Sequence, residues 1–462
     1  MSGIFGILNM GKGALLTQQR ALDVTGHNIS NVNTDGYSRQ NLLMGTNLPI
    51  STRPGQIGTG VHAMEVRRIY DRFLGLQINN ENQGLGRWEA RKSAIGTIET
   101  ILNESSGSGL NQAMGEFWNA WQDLANNPSG LTERSYLLEK GELLAMRFQQ
   151  VYTDLGQVQK DVDNNITGTI QEINRITEQI ADLNHKISGI EANGQNANDY
   201  RDSRDLLVKE LSSLIDISTF EDDTGMVSVI TGGGRSLVQG DHYRSLSTEI
   251  NVDGFQDIVW LDGYGNSENI TEDITDGKLY GLLEVRDSDI PDYLSELDTL
   301  AARIIEEVNT LHSSGYGLDG NNGRDFFTGT SAADIGINSA IQSDVNLIAA
   351  AQDSDGLPGD NTIAIAIANL QNELTMNGNT VTFDGYYNSI VSKVGSEAKT
   401  AETNYDQQSK MVTYLDSYRE SISGVSLDEE MVNLVKFQHA YEAAAQLIST
   451  ADELLDTVIG MV

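Results

Sequence analysis

Leu427-Asp-Glu-Glu-Met-Val-Asn-Leu434-Val-Lys-Phe437-Gln-His-Ala-Tyr441-Glu-Ala-Ala444-Ala-Gln-Leu-Ile448-Ser-Thr-Ala451-Asp-Glu-Leu-Leu455-Asp-Thr-Val458 closes the chain and decides how it is read. Leu427, Leu434, Tyr441, Ile448, Leu455 and Val462 fall seven apart, and Phe437, Ala444, Ala451 and Val458 repeat three positions further on. This is the narrow stripe of a helix that packs lengthwise on another helix. Ser426, followed three residues later by Glu429, predicts a capping box at its start. The N-terminus has the same spacing in Leu8, Leu15, Leu22 and Ile29, with Ile7, Ala14 and Ala21 beside them. A helix with one thin apolar stripe cannot shelter it alone, and an isolated helix is marginal in water. The end segments, 1–65 and 425–462, are therefore expected to be disordered in the monomer and to order as coiled coils with each other and with further copies.

Working inward, Asn28, Ser30, Asn31, Asn33, Asp35 and Gly36 form a dense cluster of turn formers. The first helix should stop near residue 31, with Gly36 at positive φ and a mostly extended stretch to about residue 65. Val162, Ile166, Ile170, Ile173, Ile180, Leu183, Ile187 and Ile190 mark one long rod. A second runs through Ile290, Leu294, Leu297, Ala301, Ile304, Val308 and Leu311, with Asp289 and Pro291 placed to start it. Between them, residues 216–281 lose helical periodicity and gain short β-like runs, Val227 to Thr231 and Ile258 to Leu261, punctuated by glycine. A second irregular stretch covers about 316–385, with a helical pattern from Asn361 to Glu373. The expected architecture is mainly α with an inserted β domain: long antiparallel helical rods over 66–215 and 282–424, terminal coiled-coil helices, and a small acidic β domain at 216–281.

Charge and composition narrow the function. The 462 residues carry a formal charge of −36. Residues 1–100 hold ten basic and seven acidic side chains, so the remainder holds twenty basic and fifty-nine acidic, a net of −39. Such a surface repels phosphate backbones and anionic lipid, so neither nucleic acid nor membrane is expected as a partner. No cysteine is present, which removes disulfides, zinc-thiolate sites and thiol nucleophiles. No run of eighteen apolar residues occurs, and Met1 to Gly11 has no basic region of the kind that opens a cleavable signal peptide.

Enzyme readings find little support, and no catalytic residue, cofactor or metal is expected. His27, His62, His185, His242, His312 and His439 are scattered without metal-ligand spacing, and His439 with Glu442 shares a helical face as a solvent-facing pair. Gly232-Gly-Gly-Arg235 lacks the lysine of a phosphate loop and reads as a turn. Asp319-Gly-Asn-Asn-Gly-Arg-Asp325 has alternating oxygen ligands but ends on Thr330 at the twelfth position, so a polar turn is expected rather than a calcium loop. Trp88, Trp118 and Trp121 lie in helical stretches and read as core.

The stretch Gly26-His-Asn28-Ile-Ser-Asn31-Val-Asn33-Thr-Asp-Gly36-Tyr37-Ser-Arg-Gln40 resembles the N-terminal signature of axial flagellar proteins, and its Ser-Arg-Gln ending resembles their hook-associated FlgK branch. The segment Gly424 to Leu455 is similar to that family's closing helix. Asn127-Pro-Ser-Gly-Leu-Thr-Glu-Arg134, Gly281 to Asp287 with Ile290-Pro291, and Asn388 to Glu397 match it inside the chain. The resemblance implies a non-enzymatic, secreted subunit of the extracellular flagellum, exported without a cleaved signal peptide. It implies a ring of copies at the distal end of the hook, with the hook subunit below and a second junction protein above. A cytoplasmic export chaperone would guard the C-terminal helix. Two further readings remain open: a rod- or hook-type axial subunit, and a surface adhesin or enzyme-bearing filament protein with its activity in residues 216–281.

Overall fold

A computed structural model of the chain describes residues 2–53, 55–102 and 109–461. Val462, the last position of the C-terminal heptad series, lies outside them. In chain order the elements begin with α1 (Ser2–Ser30) and four short strands, β1 (Gln40–Thr46), β2 (Ile50–Thr52), β3 (Gly55–Ile57) and β4 (Val61–Arg68). Helices α2 (Arg72–Leu102), α3 (Leu110–Asn126), α4 (Leu131–Glu191) and α5 (Asn198–Leu214) follow. The strands β5 (Ile217–Glu221), β6 (Val227–Thr231), β7 (Ser236–Gln239), β8 (His242–Tyr243), β9 (Leu246–Ile250), β10 (Gln256–Leu261) and β11 (Ser267–Asn269) come next. The chain then returns to helix in α6 (Gly277–Glu284) and α7 (Ile290–Ser314), crosses β12 (Phe327–Thr328) and β13 (Gly336–Ile337), and continues through α8 (Ser339–Ser343) and α9 (Thr362–Asn369). It ends in α10 (Phe383–Ser423) and α11 (Leu427–Gly460).

The body is a bundle of long helices around one apolar core that runs from α2 to α10. At one end Phe117, Trp118 and Trp121 of α3 meet Phe326, Phe327 and Phe383, the Trp118 and Phe383 rings stacked at 5.8 Å. Trp118 and Trp121 are core as expected, while Trp88 is half-buried. Further along, α2 approaches α5 and α6 through glycines. A Cβ at Gly86 would lie 1.8 Å from the Ser213 carbonyl oxygen, and one at Gly281 2.4 Å from that of Arg87. The first rod extends well beyond its apolar repeat, since α4 begins at Leu131.

The second rod does not begin at Asp289 and Pro291. Helix runs without interruption from α6 into α7, and Val285–Asp289 forms a π turn between them. Proline has no N–H to give the turn before it. The wider turn accommodates it inside the helix, with the Ile290 amide reaching back to the Val285 carbonyl.

The β insertion forms two antiparallel sheets, β5-β6-β7-β8 and β11-β10-β9. Two asparagines of α4 hold it. Asn184 donates to the Val227 and Gly240 carbonyls at 2.8 and 2.7 Å and accepts from the Val227 amide. Asn174 exchanges hydrogen bonds with the Leu246 backbone, both at 2.8 Å. Gly232-Gly-Gly-Arg235 is the β6–β7 turn, with Gly234 at φ +84°. The stretch after α1, expected to be irregular, is an antiparallel ribbon: β1 pairs with β4 and the β2–β3 hairpin caps it.

Residues 315–382 wrap the aromatic end of the core. Asn309 receives the Phe326 and Phe327 amides at 2.9 Å each and donates to the Phe327 carbonyl. His312 is 1 % exposed; its Nε2 accepts from the Ala349 amide at 2.9 Å and its Nδ1 donates to the Arg324 carbonyl at 2.7 Å. Burial pushes its pKa down from 6.5 to about 4. Protonation would replace the acceptor at Nε2 with a second donor facing an N–H. Between these two values the unfolded chain holds a proton that the folded chain does not. The stabilising effect is therefore complete above pH 6.5 and is lost as pH falls towards 4. Lowering pH from 7 to 5 should cost about 2 kcal/mol through this residue. In urea titrations His312→Gln should be less pH-dependent by that amount than the parent; equal pH dependence would show that the imidazole is not held neutral.

Candidate assembly site at the junction of the two chain ends

The turn after α1 is built around the side chain of Asn28, which is 1 % exposed. Its Oδ1 accepts from the Tyr37 hydroxyl at 2.8 Å and the Gln40 amide at 2.9 Å. Its Nδ2 donates to the Gln40 carbonyl at 2.9 Å and to Glu430 of α11 at 3.2 Å. All four hydrogen-bonding positions of the carboxamide are used. Asn31 closes the helix by donating to the His27 carbonyl, and Gly36 takes φ +77°. A Cβ at Gly36 would also come within 3.3 Å of Leu206. Asn33 is exposed. Tyr37 is buried, and burial beside Asp199, Asp202 and Glu430 raises its phenol pKa.

The same loop is clamped to the body. The Ser38 amide donates to Asp202 Oδ2 at 2.8 Å, and Arg68 bridges Asp202 and Asp205 at 2.7 Å each. Burial raises the Asp202 carboxyl, while Arg68 opposes that shift. The Arg39 amide donates to the Ser423 carbonyl at 2.7 Å, and its guanidinium pairs with Glu429. The end of α1, the α10–α11 turn and α5 thus meet on one short segment. Glu430, Asp202 and Arg68 were not singled out from sequence, and Gln40 entered only as the end of the Ser-Arg-Gln motif. A signal existed for Glu430, since it lies seven residues before Phe437 and puts an acid on an otherwise apolar stripe.

From this junction α1 and α11 run antiparallel as a two-helix stalk about 40 Å long at 1.5 Å per residue. Ser426 caps α11 by accepting from the Glu429 amide. Leu434, Phe437, Tyr441, Ile448 and Leu455 are half-buried against α1, and Ala444 and Ala451 are buried. Leu427 and Val458 are exposed. On α1 the positions most deeply enclosed are Gly11, Thr17, Ala21, Thr25 and Asn28; Leu8, Leu15, Leu22 and Ile29 flank them half-buried. A Cβ at Gly11 would fall 2.7 Å from Cγ1 of Ile448. Small residues set the helix separation, and the leucines fill its edges.

Other candidates resolve simply. Arg324 donates to Asp319 at 2.6 Å and holds its carboxyl down at about 2, so an arginine occupies the polar turn. His439 and Glu442 form a solvent-facing pair at 3.3 Å. Among the described residues no group of three His, Cys, Asp or Glu could hold a metal ion, and no helix is long and apolar enough to cross a membrane. Arg134 is fully buried and donates to the carbonyls of Pro128 and Ile348 at 2.7 and 2.6 Å. Burial lowers its pKa to about 10. That contact gives the Asn127-to-Arg134 segment a structural purpose.

Replacing Asn28 with alanine strands the Tyr37 hydroxyl, the Gln40 backbone and the Glu430 carboxylate in a buried site. The expected loss is about 3 kcal/mol, confined to the junction. Amide exchange over 37–40 and 427–434 should accelerate about 100-fold while the body melts as before. Unchanged exchange would remove Asn28 from its central place.

The family described as flagellar hook-associated protein FlgK helical domain matches residues 95–327. Two descriptions from basal-body rod proteins match the ends: the flagella basal body rod protein at 8–37 and the FlgEFG C-terminal region at 417–461. Flagellar hook-associated protein 1 of Bacillus subtilis is 31 % identical, covering 99 % of this chain and 98 % of its own. The protein of the same name from Escherichia coli is 28 % identical over 98 % of this chain and 99 % of its own. In fold, the chain is similar to the flagellar hook junction protein FlgK from Burkholderia pseudomallei. That match has a TM-score of 0.68 and 16 % identity, covering 75 % of this chain and all of that one. The chain belongs to the FlgK family of flagellar hook-associated proteins.

Proposed function

We propose that this chain is a structural, non-enzymatic subunit that joins hook to filament, and that it does so by adding its α1–α11 stalk to an axial tube of identical stalks. One observation carries the reading. Pairing α1 with α11 uses one face of α11 and leaves Leu447, Leu454, Val458 and Ile459 between 39 and 69 % exposed. Among the described residues no element of the same chain covers them, whereas a neighbouring stalk would. Fully burying one such side chain is worth about 1.5–3 kcal/mol, so several contacts per copy would drive association. The stalk contributes nothing to the main core, which suits a part that is marginal alone and orders on assembly.

In this reading the hook subunit lies below the ring and a second hook-associated protein above it. An export chaperone covers α11 in the cytoplasm, and the chain leaves the cell without a cleaved signal peptide. A rod-type axial position is the second reading, favoured by the rod-protein matches at both ends. The FlgK helical domain over 95–327 favours the junction.

Ile448→Asp places a charge opposite Gly11 and against the tube. Purified parent chain should cap isolated hooks under the electron microscope, and the variant should not, while the body's melting temperature moves by less than about 2 °C because Ile448 lies outside the core. Normal capping by the variant would overturn the proposed role of the stalk.

A further inference from the structure

A cavity of about 370 Å³ lies beside the junction of the two chain ends, where the end of β4, the start of α2, α5, β5 and the end of α10 converge. At about 30 Å³ per water it has room for roughly a dozen, so it is a polar chamber and not a packing defect. Charged side chains line it, and their pairing is uneven. Its carboxylates are mostly taken. Arg68 holds Asp202 and Asp205, Lys209 holds Asp416 at 2.7 Å, and Arg201 holds Glu221 at 2.5 Å. Among the described residues only Asp35 of the lining carboxylates has no paired cation, and it is exposed to solvent.

The arginines are less well served. Arg204 of α5 is 1 % exposed, and its Nη1 donates to the Asn184 side chain at 3.1 Å and the Gly225 carbonyl at 2.6 Å. Its Nε has no acceptor, and its carboxylate neighbours Asp205 and Glu221 stand off at 3.9 Å each. Burial lowers its pKa, the mark of a guanidinium short of counter-charge. Arg72, the first residue of α2, has no ion-pair partner among the described residues, and the buried Nε of Arg419 in α10 has no acceptor. A buried charge that is incompletely paired is costly. The chamber therefore offers donors in excess of acceptors, and they come from three different helices.

We infer that this cavity binds a small oxyanion of the phosphate class, with Arg204, Arg72 and Arg419 as its donors. A tetrahedral oxyanion presents acceptors in several directions at once, which suits guanidinium groups arriving from α5, α2 and α10. The volume leaves room for bridging water around it. The chain's net charge of −36 opposes any anion at long range. At 0.1 M salt that repulsion is screened beyond about 10 Å, so the local donors decide. Gly36 and Ser38 of the loop after α1 line the same chamber, so an occupied site steadies the point from which the stalk leaves the body. The site is complete within one copy and does not depend on the assembly reading.

Amide hydrogen exchange of the full chain tests this, with inorganic phosphate compared against chloride at equal ionic strength. With phosphate at about ten times its Kd, exchange over 35–38, 72–79 and 204–209 should slow about tenfold, while the β insertion at 256–261 is unchanged. Arg204→Gln puts the fold at risk because the residue is buried, so Arg72→Gln and Arg419→Gln carry the test. Each should reduce the slowing to less than about twofold, whereas Arg303→Gln, on α7 and paired with Glu306 and Glu307, should keep it. Slowing by inorganic phosphate but not by glycerol phosphate identifies a free ion, and slowing by both identifies a phosphomonoester group. Equal exchange in phosphate and chloride would overturn the site, leaving the chamber to water alone. So would slowing spread evenly over the chain, or slowing that survives in either variant.

Discussion

The Asn28 carboxamide fixes where both ends of the chain leave the body. It can do so because four partners with no other satisfactory arrangement converge on it: a phenol, both backbone groups of Gln40, and a carboxylate from a helix 402 residues away in sequence. A buried polar group is costly unless paired, so the site tolerates only an arrangement in which α1, the following loop and α11 are all in register. The loop that leaves this point is tied in turn to α5 by Ser38 and Asp202, and to the α10–α11 turn by Arg39 and Ser423. Stalk and body consequently meet at a polar joint, whereas each is apolar within itself.

That division explains what could be read from the amino-acid sequence. The C-terminal stripe from Leu434 to Leu455 was visible because a long helix repeats its contacts every seven residues. The N-terminal stripe was visible but displaced: the leucines advertise the repeat, while Gly11, Ala21 and Thr25 make the close contact. Hydrophobicity marks where bulk is found, and small residues mark where backbones approach. The β insertion announced itself through lost helical period and frequent glycine. Its attachment did not, since Asn174 and Asn184 look like ordinary polar positions until the strands they serve are in place. The π turn before Pro291 was equally hidden, because proline at that spot fits a helix start as well as a helix interior. The polar joint was half visible. Its turn formers stood out, but Gln40, Asp202, Arg68 and Glu430 become partners only through tertiary contact.

The charge distribution adds a constraint that no single contact expresses. Beyond residue 100 the chain is strongly acidic, and in any assembly of copies the bodies repel one another. Attraction must then come from surfaces that escape this repulsion. The first hundred residues are close to neutral, and they include α1 and the ribbon. The acidic surplus of α11 would by itself oppose bringing stalks together. The exposed apolar stripe of α11, however, lies on a different face from Asp452, Glu453 and Asp456, so a contact through Leu447 and Leu454 would leave those carboxylates in water, where salt screens them. In the proposed assembly, acidic bodies that repel and stalks that meet through apolar stripes would let a copy stay monomeric at high concentration and still add to a growing end.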